Sequence, residues 1–119
     1  MNIAFIVVSA VLALEMAGAG VPKLLQLNAV RRNAEHLGVS VGLHRMIGVA
    51  ELAAAAGLLV GIEFPALSAV TAVAVFLLMS GAVGYHIKAG DKLSLVLPAV
   101  LTALLAVAAG LLATVAHSH

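Results

Sequence analysis

Two carboxylates, Glu15 and Glu51, stand inside stretches that are otherwise almost wholly apolar. A charged side chain at the centre of a membrane span costs roughly 2.5–3.5 kcal/mol on insertion scales, so such a group calls for a partner, a proton or a ligand. Glu15 precedes Lys23 by eight residues, about 12 Å along a helix. Glu51 follows Gly42 by nine residues, a similar depth from the same end. The matched depth predicts that the two meet between the first two long helices, where like charges would share one proton. On the second helix His44, Gly48, Glu51 and Ala55 recur at steps of four, three and four, which places them on one face. Arg45 falls off that stripe near the helix end, where it can snorkel or pair with Glu15. Tyr85 and His86 close the third apolar stretch at the level of His44. The expected polar site is therefore Glu15, His44, Arg45, Glu51, Tyr85 and His86.

Three kinds of chemistry fit that set. One is a structural hydrogen-bond network between helices. Another is a pocket for a polar headgroup or a quinone-like redox molecule. The third is haem, ligated by His44 and His86 from two helices. The sequence His117-Ser118-His119 could hold a metal ion loosely, but an ordinary polar tail is the simpler reading, and no metal site is assigned. The chain has no cysteine, which excludes disulfides, iron–sulfur clusters and thiol redox chemistry carried by this chain alone. It has no autonomous catalytic motif.

The elements that position these residues follow from composition and pattern. Of the 119 residues, 64% are hydrophobic and 9% charged. A soluble domain is roughly half apolar and a quarter charged, so this chain's natural surroundings are a lipid bilayer. A net charge of +1, with three Phe, one Tyr and no Trp, offers neither the basic surface nor the stacking platform of a nucleic-acid binder. Four apolar stretches, at about 3–21, 42–62, 66–85 and 93–116, are near the ~20 residues needed to span. They are too long for strands and lack two-residue alternation. The segment at about 23–37 is too polar to span, yet Leu24, Leu27, Val30, Ala34 and Leu37 recur at helical spacing. It predicts an amphipathic interfacial helix started by Pro22 and ended by Gly38, with its leucines inward. The fold class is all-α, a four-helix membrane bundle in one domain. The apolar start MNIAFIVV has no preceding Lys or Arg, so it reads as a retained span and not as a cleaved signal.

All six Lys and Arg residues fall in or beside the first and third connections. The positive-inside rule then places both connections in the cytoplasm and both termini on the extracytoplasmic side. Small residues such as Gly20, Gly48, Gly57 and Gly61 suit close helix packing.

The stretches GAGVPKLLQLNAV, HLGVSVGLHRMIGVAELAAAAGLLVGI and FLLMSGAVGYHIKAGD resemble the DoxX-like family of small four-span bacterial membrane proteins. The likeness covers nearly the whole chain. It is most specific at Gly20 and Lys23, Leu37-Gly38, the IGVAEL run around Glu51, and the segment from Met79 to His86. The family takes its name from a membrane subunit of a thiosulfate:quinone oxidoreductase, and relatives are linked with membrane oxidoreductase complexes that respond to oxidative stress. The resemblance implies a non-catalytic subunit or accessory protein of a quinone-linked complex in the bacterial cytoplasmic membrane. Its partners would be other complex subunits or copies of itself, and its implied cofactor is a quinone. The rival expectation is a binding protein or proton-coupled carrier for a quinone, lipid or other small molecule, built on Glu15 and Glu51.

Overall fold

A computed structural model describes residues 3–117. They form five helices: α1 (Ile3–Leu25), α2 (Asn28–Leu37), α3 (Val41–Val60), α4 (Pro65–Lys88) and α5 (Leu93–His117). Ser118 and His119, named above with His117 as a loose metal site, lie outside the described residues. Four of the helices are long and apolar enough to cross a membrane, and α2 is not among them. Short turns join α3 to α4 and α4 to α5, while α2 carries the chain from the end of α1 to the start of α3, so consecutive long helices run antiparallel. α1 packs most closely on α3 and α4 on α5, with α3 on α4 and α1 on α5 closing the ring.

The outer surface is apolar. Leu14, Val70, Leu77, Leu104 and Leu111 all face outward, as lipid-facing side chains do. Small residues fill much of the interior. Ala103, Ala106, Ala109 and Ala113 form the buried stripe of α5, at steps of three, three and four, and bring it close to α4. Leu12, Met16, Leu58 and Val75 fill the centre.

The α1–α3 crossing is tightest at Gly20 and Gly48. A Cβ on Gly20 would lie 2.8 Å from the Gly48 carbonyl oxygen, and one on Gly48 would lie 2.9 Å from the Gly20 oxygen. The two backbones therefore touch, as small residues allow. The same crossing admits two charged stems. Lys23 Cβ lies beside Gly48, and Glu51 Cβ beside Gly20.

The first connection departs from the sequence reading. Pro22 does not begin the amphipathic helix; it lies inside α1, which runs on to Leu25. Proline there forfeits one ladder hydrogen bond without ending the helix. The turn comes at Gln26, whose φ of 52° is left-handed. The bonds Gln26 N–H to Lys23 O (3.3 Å) and Leu27 N–H to Pro22 O (3.2 Å) close a Schellman end. Leu24 and Leu27 consequently turn outward, at 39% and 51% exposed, and are not the docking face. Ala34 and Val39 are the buried apolar anchors of this region. Gly38 ends α2 as expected, with φ 74° and the Val39 N–H bonded to Ala34 O at 2.9 Å. Ser40 caps α3 by accepting from the Leu43 N–H at 3.2 Å, and Pro65 occupies the first turn of α4.

Candidate functional site

The C-terminal end of α1, α2, the start of α3, the end of α4 and the start of α5 all lie at one end of the bundle, and all six Lys and Arg residues are there. In that half a cavity of about 280 Å³ opens between α3 and α4 and is covered by α2. Its polar lining is Lys23, Asn33, His44, Glu51, Tyr85 and His86. Leu43, Ile47, Leu77 and Leu78 supply much of the apolar wall.

Four of the six residues expected from sequence therefore line one cavity: His44, Glu51, Tyr85 and His86. The stripe on α3 is as expected, with His44, Gly48, Glu51 and Ala55 all buried. Glu15 and Arg45 are elsewhere. Glu15 is on the exposed side of α1, where its Oε2 lies 2.9 Å from Thr102 Oγ1 of α5. That hydroxyl is also 2.9 Å from Pro98 O and shares its one proton between the two acceptors. Arg45 is exposed and makes no ion pair among the described residues, so the expected Arg45–Glu15 pair is not formed.

Equal depth did not mean equal face. The buried stripe of α1 is Phe5, Ser9, Leu12, Met16 and Gly20, at steps of four, three, four and four. Glu15 is one residue, about 100°, off that stripe, and Lys23 continues it three residues beyond Gly20. Lys23, not Glu15, is therefore the partner of Glu51. Its Nζ donates to Glu51 Oε1 at 2.6 Å. The Glu51 side chain is 1% exposed and that of Lys23 21%. The second carboxylate oxygen, Glu51 Oε2, is buried and has no hydrogen-bond partner among the described residues.

Gln26 supports the site from behind. Its amide nitrogen donates to Lys23 O at 2.6 Å and lies 3.3 Å from His44 Nδ1. The side chain is buried, and these contacts hold the left-handed turn in place. Donation from Gln26 to Nδ1 assigns the proton of a neutral His44 to Nε2.

A second polar cluster ties down the cover. Asp91, in the turn between α4 and α5, bridges two histidines. His36 Nε2 of α2 is 2.5 Å from Asp91 Oδ1, and His86 Nδ1 of α4 is 2.6 Å from Oδ2. The Asp91 side chain is only 4% exposed. Hydrogen bonds from His36 and then His86 hold its carboxyl below the ordinary 3.8, outweighing the opposing effect of burial. His86 belongs to both clusters, since it lines the cavity as well. Among the described residues no group of three His, Asp, Glu or Cys side chains is arranged to hold a metal ion.

Sequence reasoning missed Lys23 and Gln26 as site residues by assigning both to the interfacial helix. It missed His36 and Asp91 because they are 55 residues apart and join only when α2 folds back. The continuing α1 stripe was a usable signal for Lys23; none pointed to the His36–Asp91–His86 bridge.

The profile of the DoxX-like family matches residues 7–109, most of the chain and every residue of this site. The chain belongs to the DoxX-like family. Neither the curated proteins nor the solved structures contain a match. Within this DoxX-like bundle the segment around Glu51 and the segment from Met79 to His86 supply facing walls of the cavity.

Proposed function

We propose that this protein is a non-catalytic subunit or accessory protein of a quinone-linked redox complex in the bacterial cytoplasmic membrane. Its own part is to hold the polar head of a small amphiphile, a quinone in the first instance, at the Lys23–Glu51 pair. The observation that carries this reading is the cavity of about 280 Å³ with the partnerless oxygen of Glu51 in a buried lining residue. A buried carboxylate oxygen without a donor is costly, and a ligand hydroxyl or amide supplies one. An apolar wall with a few convergent polar groups is the usual make-up of a small-molecule site. An apolar cavity of about 150 Å³ accepts benzene, so about 280 Å³ accommodates a substituted ring and the start of its chain. Lys23, Glu51, His44 and Tyr85 are the side chains that would meet a quinone's polar edge. The redox chemistry would be the quinone's and its partner's.

The subunit part of the proposal rests on family membership and on Glu15. This carboxylate lies on the outside of a spanning helix with one hydroxyl as its hydrogen-bond donor among the described residues. A neighbouring subunit covering that face would relieve its exposure to lipid. The carrier reading built on a Glu15–Glu51 pair loses the arrangement it needed, since each carboxylate has its own separate partner. Following the positive-inside rule, the basic end with the cavity faces the cytoplasm and both termini face outward.

The test is purification of the full chain in mild detergent, with mass spectrometry of the proteins and lipids retained. The proposal expects an amphiphile with a polar ring to be retained by the unaltered chain and lost from a folded Glu51→Leu variant. It also expects membrane redox proteins to accompany the chain. Equal retention by both forms would remove the role of Glu51. A protein with neither amphiphile nor redox partner would refute the reading.

A further inference from the structure

We infer that the cavity selects a head that is neutral and carries a hydroxyl, so that of a quinone couple it takes the quinol, the reduced member. This rests on the proposed amphiphile site and adds which chemical form the site prefers.

Start with what the pair offers. Lys23 Nζ spends one of its three protons on Glu51 Oε1. Two donors remain on a side chain that lines the cavity. Glu51 contributes an acceptor, Oε2, which is buried and has no partner among the described residues. A carboxylate bonded by an ammonium is an acceptor only. A head seated on the pair would meet a donor from Lys23 and, where it reaches the buried Oε2, an acceptor beside it. A hydroxyl answers both from one atom, because its oxygen accepts from Lys23 while its proton goes to Glu51 Oε2. A quinone carbonyl answers only Lys23 and leaves the buried oxygen of Glu51 without a donor. A site built to receive a hydroxyl proton discriminates against an analogue that lacks it.

Charge decides the rest. Lys23 and Glu51 cancel, so a third charge entering beside them would be desolvated without a counter-ion. A carboxylate head would in addition face Glu51 Oε2, and an ammonium head would face Lys23 Nζ. Neutral heads escape both penalties. Leu43, Ile47 and Leu78 are among the apolar residues of the cavity wall, which suits a ring with a short aliphatic substituent.

The experiment measures binding of a short-chain quinol, kept reduced under anaerobic conditions, against its own quinone and its dimethyl ether. All three are titrated into the purified full chain in detergent, with calorimetry as the readout. The quinol is expected to bind tighter than the quinone by roughly ten- to hundredfold, the scale of leaving a buried acceptor unpaired. The dimethyl ether should bind no better than the quinone, because it keeps the ring and loses the proton. In Glu51→Gln the preference should fall toward unity, since the amide can donate to a carbonyl as readily as it accepts from a hydroxyl. The comparison of the three ligands needs no variant, so it stands even if Glu51→Gln fails to fold. Equal affinities, or tighter binding of the quinone, would overturn this inference and leave the amphiphile site standing. Absence of binding by all three would overturn both.

Discussion

Removing Lys23 should cost this bundle more than removing Glu51, although the two form one ion pair. The Glu51 side chain is 1% exposed and sits between α1 and α3, whereas Lys23 is 21% exposed near a helix end. In Lys23→Met the carboxylate is stranded in the interior with neither oxygen paired. Breaking a buried pair in this way costs about 3–5 kcal/mol. In Glu51→Leu the ammonium is freed on a flexible stem that can swing toward water. The expected loss there is smaller, about 1–2 kcal/mol, because the charge is not trapped and leucine replaces the buried volume. The double variant should lose little more than Glu51→Leu alone, since both charges leave together. The coupling between the sites is then nearly the whole Lys23→Met loss, about 3–5 kcal/mol. The assay is reversible unfolding of the four proteins in one detergent, followed by far-UV circular dichroism. Equal losses for the two single variants, or additive losses in the double variant, would refute the claim that Glu51 depends on Lys23 for its burial.

Three further outcomes follow from other parts of the fold. Gly48→Ala places a methyl 2.9 Å from the Gly20 carbonyl oxygen and 3.0 Å from Lys23 Cβ. It should destabilise by about 1–3 kcal/mol on overpacking grounds, while Gly84→Ala, whose Cβ would meet nothing within 4 Å, should be neutral in the same unfolding assay. Asp91→Ala should release α2, read as faster hydrogen exchange over residues 28–40 with exchange in α5 unchanged. In the unaltered chain the Asp91 carboxyl is held below 3.8. Its contribution is therefore complete at neutral pH and is lost as pH falls below about 4, so α2 should loosen in acid before the bundle does. A cysteine in the turn at 61–64 should react with an impermeant thiol reagent in spheroplasts, and one at 89–92 should not; the reverse pattern would invert the assigned orientation.

The spanning helices were legible in the sequence because a bilayer demands about 20 apolar residues per helix and tolerates little else. The grouping of the basic residues at one end was legible for the same reason: an even number of spans returns the first and third connections to one side. The face of α3 carrying His44 and Glu51 was legible from steps of three and four. What failed was the inference from depth to contact. Glu15 and Glu51 lie at matched depths, but depth is set by rise along the axis and contact by rotation about it. The rotation of α1 is fixed by Gly20 meeting Gly48, which turns Lys23 toward Glu51 and Glu15 toward Thr102. The boundary of the amphipathic segment failed for a related reason. Pro22 is a frequent helix starter, yet one lost hydrogen bond does not stop a helix whose continuation carries Lys23 to its partner. The bridge His36–Asp91–His86 was beyond sequence reasoning altogether, because it exists only where three elements distant along the chain are folded to one point. Composition and period thus determined which helices form and which end is basic. Tertiary packing alone decided which polar groups meet, since that depends on how each helix is rotated against its neighbours.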